Sequence, residues 1–383
     1  MVLTQAPNRY AGQFPFLMLK EVYEQPAAIE QTIERHVDPQ TGTVCLDRSP
    51  FSRTDVAALN RVTIVASGAS RHAGLCGKII IEDLAGIPVE VEHASEYGYR
   101  RPLNGGGSLV VPITQSGETA DTTAALRIAK EYGFRTLSIS NVVDSTIARE
   151  ADANLFTWAG KEVAIPATKS FTTQLTALYL LALFLAEQRG TLTREQISGR
   201  LNALRRLPAT LEHLLDRFDR GAERIAADFY KDETFVFLGR GVHYPIALEG
   251  ALKLKEVDYV HAEGYPTGEF RHGPTALIDE SLPVVAIVTR DVRDPESMVR
   301  YEKSVSLLHD IRQLSKRQIL VASEDDKDLR ELGVPSFLLP EMDELLLPIL
   351  EIVPLQLLAY HVAILKGLNV DRPRNLVKSV TVD

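Results

Sequence analysis

The chain has 383 residues, 45% hydrophobic and 24% charged, which allows two or three domains with cores of their own and excludes disordered or fibrous classes. With 42 Lys+Arg against 51 Asp+Glu the net charge is −9, which excludes a general nucleic-acid binder, since that needs a basic face. An anionic small ligand stays open, because local donors rather than net charge hold a phosphate.

In chain order, residues 1–60 read as a lead-in rather than a domain. Met1–Phe16 lacks the basic start and apolar core of a signal peptide, and Leu17–Arg35 reads as a helix that Pro26 caps or breaks. Arg61–Ala66 is a buried strand, followed by Ser67-Gly68-Ala69-Ser70 and a helix to about Ala85. Strand, small-residue turn and helix open an α/β unit. Val89–Val91 and Leu109–Ile113 are further strands, the latter running into Thr114-Gln115-Ser116-Gly117-Glu118-Thr119 and a helix to about Tyr132. Thr136–Ile139 is a fourth strand, and the helix Thr172–Gln188 closes a first domain at 61–190. Its apolar run, Leu175–Ala186, falls short of the roughly 20 residues of a membrane span and reads as a buried core helix. Residues 191–230 are charged and helical, a linker helix pair.

The grammar then repeats over 231–370: strand Thr234–Leu238, turn Gly239-Arg240-Gly241, helix Ile246–Val257, strands Pro283–Val288 and Gln318–Ala322, closing helix Pro354–Leu365. Two local echoes, His93–Tyr97 with His261–Tyr265 and Gln174–Ala177 with Gln356–Ala359, point to duplication. The expectation is an α/β fold of two parallel, doubly wound sheets, with ligands beyond the carboxyl ends of the strands. Cys45 and Cys76 are too few for a disulfide scaffold or a thiolate zinc site. No metal and no organic cofactor is expected, and a cytoplasmic protein without membrane contact is.

The sharpest chemical feature is the Thr114–Thr119 loop. Hydroxyls, an amide and backbone N–H groups converge there at a helix N-terminus, whose partial positive charge favours an anion such as a phosphate monoester. Ordinary capping would need one hydroxyl; this loop has three. Ser67 and Ser70 end the neighbouring strand and reach the same place. The second repeat has Thr289-Arg290-Asp291-Val292-Arg293 instead and concentrates titratable groups: Glu249, Lys253, Lys255, Glu256, His261, Glu263, Glu269 and His272. Glu249, Lys253 and Glu256 share a helix face, either a solvated ion-pair row or an acid–base site. His272 lies in a loop bracketed by Gly268, Gly273 and Pro274. The tail, 371–383, is dense in Pro, Asn and β-branched residues, which suggests an ordered segment that holds Lys378 in a pocket. A desolvated lysine there can form an imine with a carbonyl substrate.

These residues resemble the isomerase half of glucosamine-6-phosphate synthase (glutamine–fructose-6-phosphate aminotransferase), a tandem of sugar isomerase, or SIS, domains. The resemblance runs from about Leu17 to Asp383 and is most specific over Gln115–Ala120, Thr168–Leu175, Leu238–Pro274 and Pro373–Val382. It implies that Ser70, Thr114, Gln115, Ser116, Thr119, Ile165, Ala167 and Val377 surround the sugar phosphate. It implies that Lys378 forms the imine with open-chain fructose 6-phosphate, Glu256 moves a proton between C1 and C2, His272 opens the sugar ring from a neighbouring subunit, and Lys253 assists. A homodimer follows from the shared His272.

Two positions depart from the family. Ala69 and Ala167 stand where it has polar residues, each loss worth roughly 1 kcal/mol of sugar binding if water does not replace it. The synthase also begins with a glutaminase domain whose N-terminal cysteine releases ammonia. Here Met1-Val2-Leu3 opens the chain and Leu17 already corresponds to the connection between the halves, so neither Cys45 nor Cys76 takes that role. The expectations are a natural short protein or a piece of a longer one, using ammonia that a separate glutaminase partner can supply. It would interconvert fructose 6-phosphate and glucosamine 6-phosphate. The alternatives are a deaminase, another SIS phosphosugar isomerase, or a non-catalytic sugar-phosphate sensor.

Overall fold

The structure, a computed structural model, describes residues 14–101 and 106–381. The Met1–Gln13 start of the lead-in and Val382–Asp383 lie outside the described residues. Two short helices, α1 (Leu17–Tyr23) and α2 (Gln25–His36), divide where Pro26 enters the first turn of α2, and α3 (Arg53–Ala57) precedes the first sheet. The first repeat runs β1 (Arg61–Ala66), α4 (Gly68–Ala85), β2 (Val89–His93), α5 (Ala94–Tyr97), β3 (Ser108–Thr114), α6 (Ala120–Glu131), β4 (Arg135–Ser140), α7 (Thr146–Glu150), β5 (Ala153–Phe156) and α8 (Lys169–Arg189). Helix α9 (Arg194–Phe229) leads to the second repeat: β6 (Thr234–Gly239), α10 (Tyr244–Asp258), β7 (His261–Pro266), β8 (Val284–Val288), α11 (Pro295–Leu314), β9 (Gln318–Ser323), α12 (Lys327–Glu331), β10 (Ser336–Leu339) and α13 (Leu347–Leu365).

Both sheets are parallel throughout, in the orders β2-β1-β3-β4-β5 and β10-β9-β8-β6-β7. Read from the other edge, the second order is the first with each strand replaced by its counterpart, so the duplication is topological. The strand order reverses between β1 and β3, and between β6 and β8, which opens a crevice at their carboxyl ends. Every residue of β3, β8 and β9 is buried, with polar residues only at the ends of β3 and β9, as a sheet covered on both faces requires. Of the two echoes, Gln174 and Gln356 do fall in the closing helices of their repeats, α8 and α13. The other does not hold. His93 ends β2 opposite Ala66, whereas His261 begins β7 opposite Thr234, so the matching letters occupy opposite ends of equivalent strands.

Helices α8 and α13 are long and apolar enough to cross a membrane, yet 89% and 94% of their most apolar windows are buried inside the protein. α8 packs on α4, and α13 on α9 and α10. One continuous core, from Met18 through Phe171 and Phe218 to Val362, thereby joins the repeats. The expected linker helix pair is instead the single 36-residue helix α9, started by a Thr193–Gln196 capping box and carrying Pro208 inside it. The stripe Ile197, Leu201, Leu204, Leu211, Leu215 and Phe218 stays in phase and buried on both sides of Pro208. Burial of that stripe outweighs the ~3 kcal/mol an interior proline costs.

The crevice of the second repeat is filled from within. His243, after β6, lies 2.8 Å from Glu351 and 3.1 Å from Glu344, and Arg300 pairs with the same Glu344. Burial opposes the His243 charge, but the two carboxylates win and push its pKa up to about 10. A histidine raised in the fold stabilises fully below its ordinary value near 6.5, and that contribution is lost as pH rises through about 10. His243→Ala is therefore expected to cost about 3–5 kcal/mol at neutral pH, as removal of one partner from a buried pair does. Denaturant midpoints of the two proteins should converge as pH approaches 10; a constant gap would show that His243 is not charged in the fold.

Candidate functional site

The crevice of the first repeat is lined by the hydroxyl loop. β3 ends at Thr114, level with Ser140 of β4, and the chain turns through Gly117 to Thr119, immediately before α6. Gly117 sits at φ +71, and a Cβ there would overlap the Ser145 side chain, so glycine is required on both counts. Thr114 and Thr119 share a hydroxyl hydrogen bond of 2.9 Å, and the Gly117 and Glu118 N–H groups donate to the hydroxyls of Thr114 and Ser116. Three hydroxyls thus converge beside the N-terminus of α6.

The tail closes over this loop, as its composition suggests. The Asp371 carboxylate accepts from the Leu17 and Met18 N–H groups, and its carbonyl accepts from Ile165 at 3.0 Å. The Arg374 guanidinium lies 4.1 Å from the Tyr259 ring centre. Further on, Ser379 shares a 2.9 Å hydrogen bond with Ser116, and Val380 accepts from the Ala120 N–H. Between these anchors Lys378 points inward: its Nζ donates to Glu162 at 2.5 Å and to the Ala164 carbonyl at 2.7 Å. Val377 is exposed, and Ile165 and Ala167 flank Pro166 in the segment beneath the tail.

Glu162, in the loop between β5 and α8, has a fully buried side chain. It accepts from the Thr168 and Ser170 N–H groups, both at 3.0 Å, and from the Ser170 hydroxyl at 2.7 Å. Burial alone would raise its pKa, but the Lys378 charge and these donors hold it below the ordinary carboxylate value. Glu21 of α1, which accepts from Val163 N–H at 2.5 Å, is pushed up to about 7 by burial and by the charge of Glu162.

The second repeat contributes α10. Lys253 is fully buried between two carboxylates, 2.5 Å from Glu256 and 3.2 Å from Glu249, and Glu249 is 2.7 Å from Nδ1 of His72 in the second turn of α4. Burial opposes the Lys253 charge, but Glu249 and Glu256 outweigh it and hold the ammonium above the ordinary lysine value. Burial would raise Glu249, but Lys253 and His72 hold it down. Glu256 keeps 22% side-chain exposure, so the acid–base face read in the sequence is a buried row that opens only at Glu256.

Thr114, Ser116 and Thr119 therefore come together with the tail, and Lys253 with Glu256. Ser70 lies in the first turn of α4, and Gln115 enters the loop network through its carbonyl, which accepts from Asn141 N–H. His272 is exposed after a short turn, Glu269–Arg271. Among the described residues no hydrogen bond or ion pair joins it to Lys253, Glu256 or Lys378. Sequence reasoning missed Glu162 and His72 and gave Glu249 no role. Of these only Glu249 had a signal, its four-residue spacing from Lys253.

Two doubly wound sheets of one topology, one with a hydroxyl loop at its crevice and one with a Glu–Lys–Glu row on its first helix, have the architecture of a tandem sugar-isomerase protein. The sequence matches the SIS domain over residues 57–184 and 228–366, and the chain belongs to that family. It is 47% identical over 370 residues to the glutamine–fructose-6-phosphate aminotransferase (isomerizing) of Gloeobacter violaceus, covering 97% of this chain and 59% of that protein. The chain thus spans well under two thirds of the length of such relatives. Among solved structures, the C-terminal domain of glucosamine-fructose-6-phosphate aminotransferase from Francisella tularensis superimposes with a TM-score of 0.86 at 38% identity, over 94% of this chain and 99% of that one. A glucosamine-6-phosphate deaminase from Thermotoga maritima shares the fold at a TM-score of 0.71 and 24% identity, over 95% and 99% of the two chains.

Proposed function

We propose that this chain interconverts fructose 6-phosphate plus ammonia with glucosamine 6-phosphate and water. The observation that carries the reading is the placement of Lys378. It lies on an ordered tail, beside a hydroxyl cradle suited to a phosphate, with its ammonium held by a buried carboxylate. The names borne by the relatives agree with it.

In this reading the Thr114, Ser116 and Thr119 hydroxyls, with Ser70 and Gln115, hold the phosphate, while Ile165, Ala167 and Val377 border the sugar. Nζ of Lys378 adds to the C2 carbonyl, whose oxygen leaves as water, and an iminium forms. The product carries its nitrogen on C2, so ammonia must add there and release the lysine. Glu256 then takes a proton from C1 and returns it to C2, which leaves the aldehyde at C1 and the amine at C2. Lys253 fixes Glu256 and keeps it paired with a positive charge. His272 opens the ring, reaching the site of a second subunit in a homodimer, which suits its exposed loop. The steps need acid–base groups and an imine, with no redox change.

The test is turnover of the purified chain in both directions, following fructose 6-phosphate, glucosamine 6-phosphate and ammonia. Turnover with free ammonia is expected. Hexose phosphate interconversion without nitrogen exchange would make it a plain isomerase, and binding without turnover would make it a sensor.

A further inference from the structure

We propose that Glu162 is the positioning residue for Lys378: it fixes Nζ at the site and remains a carboxylate through imine formation, matching the positive charge first of the ammonium and then of the iminium. This rests on the imine reading above and adds a residue to it.

Both carboxylate oxygens of Glu162 are engaged. Oε1 accepts from the Thr168 and Ser170 N–H groups, both at 3.0 Å, while Oε2 accepts from the Ser170 hydroxyl at 2.7 Å and from Nζ of Lys378 at 2.5 Å. Thr168 immediately precedes α8 and Ser170 is in its first turn, so the N–H groups of both place Glu162 on the positive end of a 21-residue helix. Such a carboxylate keeps donors even while the lysine nitrogen is neutral and attacking. A surface ion pair has no comparable need for burial; this one is built into the loop between β5 and α8, and its side chain has no exposed area.

Charge balance then gives the role. An ammonium plus a ketone yields an iminium plus water, so one positive charge is present on Nζ before and after the step. A fixed anion that stabilises the first stabilises the second and does not penalise the equilibrium. The second contact, from Nζ to the Ala164 carbonyl two residues further along the same loop, sets direction, since two acceptors leave the lysine less freedom than one. Glu21 approaches the same segment, accepting from the Val163 and Ala164 N–H groups.

The experiment is borohydride trapping of the imine with fructose 6-phosphate, read as the rate at which Lys378 gains a sugar-phosphate adduct by peptide mass, together with kcat and KM. Glu162→Gln keeps the size and some of the hydrogen bonds but removes the charge. It is expected to slow labelling and kcat about a hundred-fold, the scale of a misplaced reacting group, with KM within about three-fold of the wild-type value. Glu162→Asp keeps the charge one methylene short and should fall between the two; it carries the test if the glutamine protein does not fold. A wild-type labelling rate in either variant overturns the proposal. Loss confined to KM overturns it too, since that marks a substrate-binding role. If the wild-type chain itself gives no Lys378 adduct, the imine reading fails first and Glu162 loses its role with it.

Discussion

Lys378→Ala should lower turnover at least about ten-thousand-fold, the scale on which removal of a covalent nucleophile acts. Lys378 is the accessible amine of the three lysines described at the site: its side chain is 25% exposed, while Lys253 is fully buried between Glu249 and Glu256 and Lys169, paired with Glu24 at 2.7 Å, is 5% exposed. The same substitution strands the buried Glu162 carboxylate. Breaking a buried pair costs about 3–5 kcal/mol, but Lys378 is 25% exposed and α8 and Ser170 still satisfy Glu162, so the loss should fall at or below the low end. Lys378→Arg separates the two effects. A guanidinium keeps the charge for Glu162 but does not form the imine, so this variant should melt near the wild-type temperature and remain inactive. Sugar-phosphate binding should survive in both, because the cradle is anchored by β3 and α6. Turnover at the native rate in Lys378→Ala would remove the imine from the mechanism.

What could be read from the sequence followed from where each interaction is made. The turns after β1, β3 and β6 are short-range features, so Ser67–Ser70, Thr114–Thr119 and Gly239–Gly241 stood out beside their apolar strands. Strands β5 and β10 did not, being four residues each at the sheet edges. β7 was hidden by Gly264 and Pro266, which ordinarily count against a strand. Its Gly264 is forced, because a Cβ there would meet the backbone of Leu248 at 2.8 Å. The row Glu249, Lys253, Glu256 follows from helical spacing alone, but its burial does not: that depends on α10 packing against α4 and α13. Glu162 carries no local pattern at all. Its partner lies 216 residues away, and His72 meets Glu249 across 177. The first of these contacts is made by the tail folding back on the first repeat and the second by the packing of the two repeats, and no window of sequence contains either.

Glu256→Gln should lower kcat about a hundred- to ten-thousand-fold, the usual worth of a general base, with little change in KM. The row on α10 makes this a clean substitution. Lys253 stays paired with Glu249 at 3.2 Å, and the amide oxygen of a glutamine can still accept from it, so no buried charge is orphaned and the fold should hold. Glu249→Gln is the contrasting case. It strips Lys253 of its fully buried counter-charge and His72 of its acceptor, so its effect should appear in stability as well as rate. The sharper readout for Glu256 is proton exchange. If it shuttles the proton between C1 and C2, Glu256→Gln should stop solvent deuterium from entering either carbon while Lys378 still gains its borohydride-trapped adduct. Imine formation precedes the proton shift, so the two steps part at this residue. Deuterium entering at the native rate would place the base elsewhere, and His72, joined to the same row through Glu249, would be the next side chain to replace.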